Sequence, residues 1–136
     1  QVMKTCQALG QVGHTVTLLV PGRQSQPWEQ LAAHYGLEAP FPIHWLPARP
    51  RLRRYDFSLA AVQLARRLGA DSLYVWPLQG AVAGLLAGLP VTLEMHGPPE
   101  GPFGPTLFRF FLRWPFAIPM AARANNAPHT IKPEAI

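Results

Sequence analysis

Residues 71–97 read DSLYVWPLQGAVAGLLAGLPVTLEMHG, and this stretch decides the fold. Ser72 to Trp76, with Leu-Tyr-Val-Trp at its centre, is a short β-branched and aromatic run of the kind that forms a strand. Leu78 to Leu86 is apolar and rich in small residues, which predicts a helix covered on most sides. Val91 to Met95 is a second short apolar strand, and His96-Gly97-Pro98-Pro99 breaks the chain at its carboxyl end. A strand, a helix and a strand at this spacing specify a right-handed crossover between parallel strands.

The same alternation extends toward the N-terminus. Val2, Met3, Cys6 and Leu9 recur at helical spacing, and Gly10 and Gly13 offer left-handed caps after them. Thr15 to Val20 is apolar on both faces, as a strand inside a parallel sheet should be, and Pro21-Gly22 ends it. A short helix is expected over Trp28 to Tyr35. Ile43 to Leu46 is a four-residue strand fenced by Pro42 and Pro47. Beyond the arginine-rich loop Arg49 to Arg54, Ala61, Leu64, Ala65 and Leu68 form the stripe of a helix that Ser58 can cap at its start and Gly69 at its end. The strands Thr15–Val20, Ser72–Trp76 and Val91–Met95 are expected parallel in one sheet. The opening helix has no strand to cross over from, which implies a first strand upstream of Gln1 and a chain that is part of a larger protein.

Toward the C-terminus the pattern weakens. Thr106 to Trp114 is aromatic and apolar, with Arg109 and Arg113 four residues apart, and reads as one more helix. From Ala117 the periodicity fades and Pro119, Pro128 and Pro133 interrupt it. An irregular or disordered tail is therefore expected over 117–136, with one partial domain over 1–116.

Composition narrows the function classes. The 136 residues are 49% hydrophobic and 14% charged, which is globular rather than disordered. The net charge is +5, and ten of the twelve basic residues are arginine. That balance favours anionic partners such as sugar nucleotides or phospholipid surfaces. The basic residues are not interleaved with aromatics in an RNA-binding signature, so nucleic acid is not expected as a partner. A single cysteine, Cys6, excludes an intrachain disulfide framework and a multi-cysteine zinc site. Its apolar neighbours make it a core residue, compatible with a reducing, cytoplasmic setting. His14 follows Gly13 at a helix-to-strand corner and reads as structural rather than catalytic; His34, His44 and His129 show no ligand spacing, so no metal is expected, and the dinucleotide, Walker and nucleophile-elbow signatures are absent, so no cofactor is expected either.

In open α/β sheets ligands lie outside the carboxyl ends of the strands. Four segments map there: 21–23, 47–54, 76–80 and 94–99. Glu94 and His96 flank Met95, so strand alternation points both the same way. Such a pair serves either as an oriented acid/base or phosphate-contacting pair, or as a strand-end carboxylate held by a neighbour beside a packed histidine. Arg49, Arg51, Arg53 and Arg54 form a basic cluster, read either as a solvated loop or as a contact for phosphate or anionic lipid. The Phe103 to Trp114 segment, with Phe108, Phe110 and Phe111 beside its two arginines, reads either as ordinary packing or as an interfacial helix.

Met3-Lys4 through Leu9, followed by Gly13-His14-Thr15-Val16-Thr17-Leu18-Leu19-Val20, resembles the opening helix and strand of family 4 glycosyltransferases. Asp71 to Trp76, followed by Leu89-Pro90 to His96-Gly97, is similar to that family's stretch ending in Glu-x-His-Gly. The likeness covers roughly 1–115. It implies an α/β, Rossmann-like parallel sheet with helices on both faces, here without its first strand and C-terminal part. It further implies the N-terminal, acceptor-side domain of a retaining, metal-independent transferase that takes sugar from a nucleotide-diphosphate donor. Under this likeness His96 and Glu94 are the catalytic candidates, and His96, Gly97, Trp76 and Arg23 are the substrate-binding candidates. Trp76 stands where the family often carries arginine. The partners implied are a nucleotide-sugar donor, a glycan or lipid acceptor, a C-terminal Rossmann-like domain that supplies the donor site, and a peripheral contact with the inner face of the membrane. By itself the chain is expected to be inactive. The competing reading is a stand-alone binding or interaction domain without catalysis that recruits a partner through its aromatic C-terminal segment.

Overall fold

Helices and parallel strands alternate along the chain, giving an α/β architecture. The computed structural model describes residues 1–23, 26–52, 54–99, 103–115 and 117–121. These fall into two compact units, Gln1–Ala70 and the chain from Asp71 onward, where the sequence pattern groups 1–116 together.

The first unit contains α1 (Val2–Gln11), β1 (Leu18–Pro21), α2 (Trp28–Tyr35), β2 (Ile43–Leu46), a 3-10 turn at Pro50–Leu52 and α3 (Tyr55–Arg67). β1 and β2 pair in parallel, with Leu18 opposite Ile43 and Pro21 opposite Leu46. Met3 and Cys6 of α1 pack with Leu18 and Leu37, and Trp28 meets Phe41 edge-on. Burial raises the pKa of the Cys6 thiol, as expected of a core residue rather than a reactive one.

The second unit contains β3 (Leu73–Val75), α4 (Leu78–Leu86), β4 (Val91–Met95), α5 (Gly104–Leu112) and β5 (Ala117–Ala121). Its strands run parallel in the order β3-β4-β5. Leu73, Val75, Val91, Leu93 and Met95 alternate onto one face, where Ala81, Val82 and Leu85 of α4 and Phe111 of α5 complete the core. Leu85 and Phe111 are fully buried, and each such side chain stabilises the fold by roughly 1.5–3 kcal/mol. Both helices of this unit thus cover one face, and Tyr74, Thr92 and Glu94 belong to the other.

Several expectations are corrected. β1 and β3 do not share one ladder: β1 pairs with β2 in a two-stranded sheet, and β3 and β4 belong to a separate three-stranded one. Pairing joins strands linked by a single helix and its short loops. The link from β2 to β3, through the arginine-rich turn and α3, closes no ladder. β1 begins at Leu18 rather than Thr15. α3 begins at Tyr55, ahead of Ser58; Asp56 is the acidic residue of its first turn, and its carboxylate accepts the N–H of Arg49 at 2.8 Å and of Phe57 at 2.9 Å. Ser58 is therefore a buried helical residue at 2% exposure rather than a cap. At the other end Gly69 takes a positive φ of 71°, the left-handed turn the sequence assigned to it.

The expected irregular tail begins instead as a strand. Ala117 pairs with Val91 and Ala121 with Met95, so β5 extends the β4 ladder through Pro119. A proline is tolerated there because β5 is the outermost strand among the described residues, with one side of its backbone turned away from β4. The rest of the tail, 122–136, lies outside the described residues.

Gly84 sets the approach of α4 to the sheet. A Cβ there would lie 2.7 Å from Leu73 Cδ1 and 2.8 Å from Val91 Cγ2, and Val91 is both β-branched and buried. Gly84→Ala should therefore destabilise the fold by about 1–3 kcal/mol despite its better helix propensity. Gly10, in α1, has nothing within 4 Å of such a Cβ, so Gly10→Ala should stabilise by about 0.5–1 kcal/mol. Urea denaturation of the two variants checks both signs.

Candidate functional site

The carboxyl end of β4 gathers the polar side chains of the second unit. Tyr74 on β3 lies opposite Thr92 on β4, and Trp76 follows β3 on the same side of the alternation as Tyr74. Across the ladder from them stands Glu94, a carboxylate only 6% exposed. A carboxylate this buried needs donors, and β3 supplies two. Tyr74 donates its hydroxyl to Glu94 Oε2 at 2.7 Å, and the Trp76 indole Nε1–H donates to the same oxygen at 2.6 Å. Bonds this short suit an ionised acceptor.

His96 stands one residue past β4. Its Nε2 lies 3.3 Å from Glu94 Oε1, and 45% of its side chain is exposed. The Trp76 ring meets the imidazole edge-on, with centroids 5.1 Å apart and planes at 79°. The two oxygens of Glu94 are thus divided, one toward the β3 donors and one toward the histidine. Beyond His96 the chain turns at Gly97 and stiffens at Pro98-Pro99. Gly104 at the start of α5 lets that turn pack closely, since a Cβ there would sit 3.0 Å from the Pro99 carbonyl carbon.

These residues border an open hollow of about 200 Å³, lined by Trp76, Leu78, Glu94, His96 and Pro98 among others. That is smaller than the ~300–1,000 Å³ of a site for a whole drug-sized ligand. Its walls are mostly apolar, with a few polar atoms at one side.

The structure brings together Glu94, His96, Gly97 and Trp76 of the sequence-derived candidates. Arg23 follows β1 in the first unit and is exposed. Arg49, Arg51 and Arg54 are exposed as well, and Arg53 lies outside the described residues. Tyr74 is the residue that sequence reasoning missed. The signal was present, since Tyr74 and Trp76 share a face at a spacing of two, but a tyrosine in an apolar strand reads as packing until its partner is known. Among the described residues no group of three or more His, Cys, Asp or Glu side chains could hold a metal ion, and no helix is long and apolar enough to cross a membrane. No family model, curated protein or solved structure matches the chain.

Burial raises the Tyr74 phenol most, and the hydrogen bond to Glu94 and the Glu94 charge raise it further, to about 12. The ring as a whole is still 38% exposed, so the cause lies at its hydroxyl end. A phenol whose folded pKa is raised contributes stability that is complete below its unfolded value of ~10 and lost as pH climbs toward the folded value. The difference in phenolate absorbance between the wild type and Tyr74→Phe should place this step near 12, and Glu94→Gln should move it down toward the ordinary value. Melting temperatures of the wild type should fall between pH ~10 and the folded pKa more steeply than those of Tyr74→Phe.

Proposed function

We propose that this chain is the acceptor-side domain of a retaining glycosyltransferase with two Rossmann-like domains, and that the hollow beside His96 receives a sugar ring. One observation carries the reading. The Glu-x-His-Gly segment, on which the family likeness rests, ends a strand with its carboxylate buried and its imidazole held at the rim of the hollow. A ligand that meets this rim finds an oriented, accessible imidazole backed by a fixed anion, an arrangement suited to hydroxyl recognition and proton movement. The hollow is too small for a whole nucleotide sugar, which fits a division of labour in which a second domain binds the donor diphosphate. The neutral N–H of Trp76, where the family often has arginine, is occupied by Glu94, so phosphate contact falls to other residues.

A second reading is favoured by α5. Phe110 and Leu112 on the helix and Phe103 just before it are exposed, as are Arg109 and, just after it, Arg113. No acidic residue accompanies them on the helix. Such a surface suits a peripheral contact with an anionic membrane or, in a non-catalytic domain, an interaction site.

Turnover separates the readings. A protein carrying both domains should release nucleoside diphosphate from a sugar donor, and His96→Ala should slow that release by about 10²-fold or more with circular dichroism unchanged. The present chain by itself should release none. Absence of release from uridine-, guanosine- and adenosine-diphosphate sugars by the two-domain protein overturns the transferase reading. Micromolar calorimetric binding of such a donor to the present chain alone overturns the division of labour.

A further inference from the structure

The geometry points to Trp76 and Tyr74 as positioning residues that, through Glu94, hold the ring proton of neutral His96 on Nε2 and leave Nδ1 as the hydrogen-bond acceptor for a ligand hydroxyl. This deepens the transferase reading and rests on it for the identity of the ligand, though not for the protonation pattern itself.

The assignment follows from donor and acceptor counting. Glu94 is met at one oxygen by two groups that donate there, a phenol and an indole; the indole can only donate. Two short donors on Oε2, 2.7 and 2.6 Å long, leave no place for a proton on that oxygen and fix the rotation of the group. Oε1 is then directed toward His96 Nε2 at 3.3 Å. An ionised carboxylate oxygen cannot donate, so this 3.3 Å approach favours a proton on Nε2, and in a neutral imidazole the other nitrogen then has the lone pair. Among the described residues nothing hydrogen-bonds to Nδ1. The edge-on contact with Trp76, 5.1 Å between centroids, resists rotation of the ring out of this pose. One indole therefore does two things: it donates to the carboxylate and it braces the imidazole that the carboxylate orients.

The consequence for recognition is chemical. An unprotonated Nδ1 accepts a hydrogen bond from a hydroxyl, whereas a phosphate oxygen also accepts and has nothing to offer it. The rim of the hollow is in this way matched to the polyol part of a sugar rather than to its diphosphate.

Substitution at position 94 gives a sharp test. In Glu94→Gln the amide has one acceptor and one donor end. The two β3 donors claim the acceptor, so the NH2 group turns toward His96 Nε2, which must now accept, and the proton moves to Nδ1. Long-range proton–nitrogen correlation spectra of the 15N-labelled chain read this directly, with the His96 signals identified by their loss in His96→Ala. At a pH of ~8.5, where imidazole is neutral, the wild type should show Nε2 protonated and Nδ1 bare, and Glu94→Gln should reverse the pattern. Trp76→Phe and Tyr74→Phe should each leave the carboxylate in place but broaden His96 into a mixture of tautomers. A wild-type His96 protonated on Nδ1, or an unchanged pattern in a folded Glu94→Gln, overturns the inference. Should Glu94→Gln fail to fold, the wild-type spectrum alone decides. The measurement involves no turnover, so the expected tautomer without glycosyl transfer sinks the function and keeps the assignment, and transfer with the opposite tautomer does the reverse.

Discussion

A carboxylate taken out of water at the end of a strand has to be met by donors, and Glu94 imposes that condition on the second unit. Two of its donors, Tyr74 and Trp76, come from the neighbouring strand and its end, which ties the β3–β4 register to the site. With Tyr74 opposite Thr92, Trp76 reaches the carboxylate at the ladder's end. A slip by one residue would turn Glu94 into the apolar layer beside Phe111 and move Leu93 to the polar side. The cost of burying an unpaired charge, several kcal/mol, therefore works with the hydrophobic layer to select one pairing. The same bonds that fix the register also fix the imidazole, so the site is part of what specifies the fold rather than an addition to it.

Much of the fold was legible in the sequence, and the reasons are local. α2, α4, β2 and β4 occupy the spans that periodicity and punctuation gave them, because Pro42, Pro47, Gly88 and Pro90 leave little choice of boundary. The errors fall where one local rule competes with another. Ser58 has the chemistry of a cap, but α3 starts three residues earlier with no side-chain cap at all, and Asp56 in its first turn is the acidic residue the dipole favours there. β5 was hidden because Pro119 argues against a strand unless the strand lies at an edge, and edge position is a property of the sheet that no window of sequence contains. The extent of one ladder is likewise non-local, and the separation of β1–β2 from β3–β4–β5 could not be read from alternation.

The site divides in a similar way. Strand alternation was enough to place Glu94 and His96 on one face and to leave the histidine accessible at the carboxyl end. It could not reveal which groups satisfy Glu94, since that depends on the pairing of two strands sixteen or more residues apart. Trp76 was singled out for departing from a pattern, and its function in the structure explains why an aromatic donor is useful there: it is neutral, rigid and able to face a carboxylate and an imidazole at once. A guanidinium at the same place would add charge and five donors, and the division of the two carboxylate oxygens would no longer be forced.

The missing side chain at position 84 has a consequence for how this sequence can vary. Leu73, Gly84 and Val91 share one small volume between helix and sheet, so their sizes are not independent. An added methyl at 84 becomes acceptable when a methyl is removed at 91 or a branch at 73, and the two changes together should perturb the protein less than the sum of each alone. In an aligned set of descendants these three columns would then drift as a correlated group, with total volume held nearly constant while the individual residues exchange it.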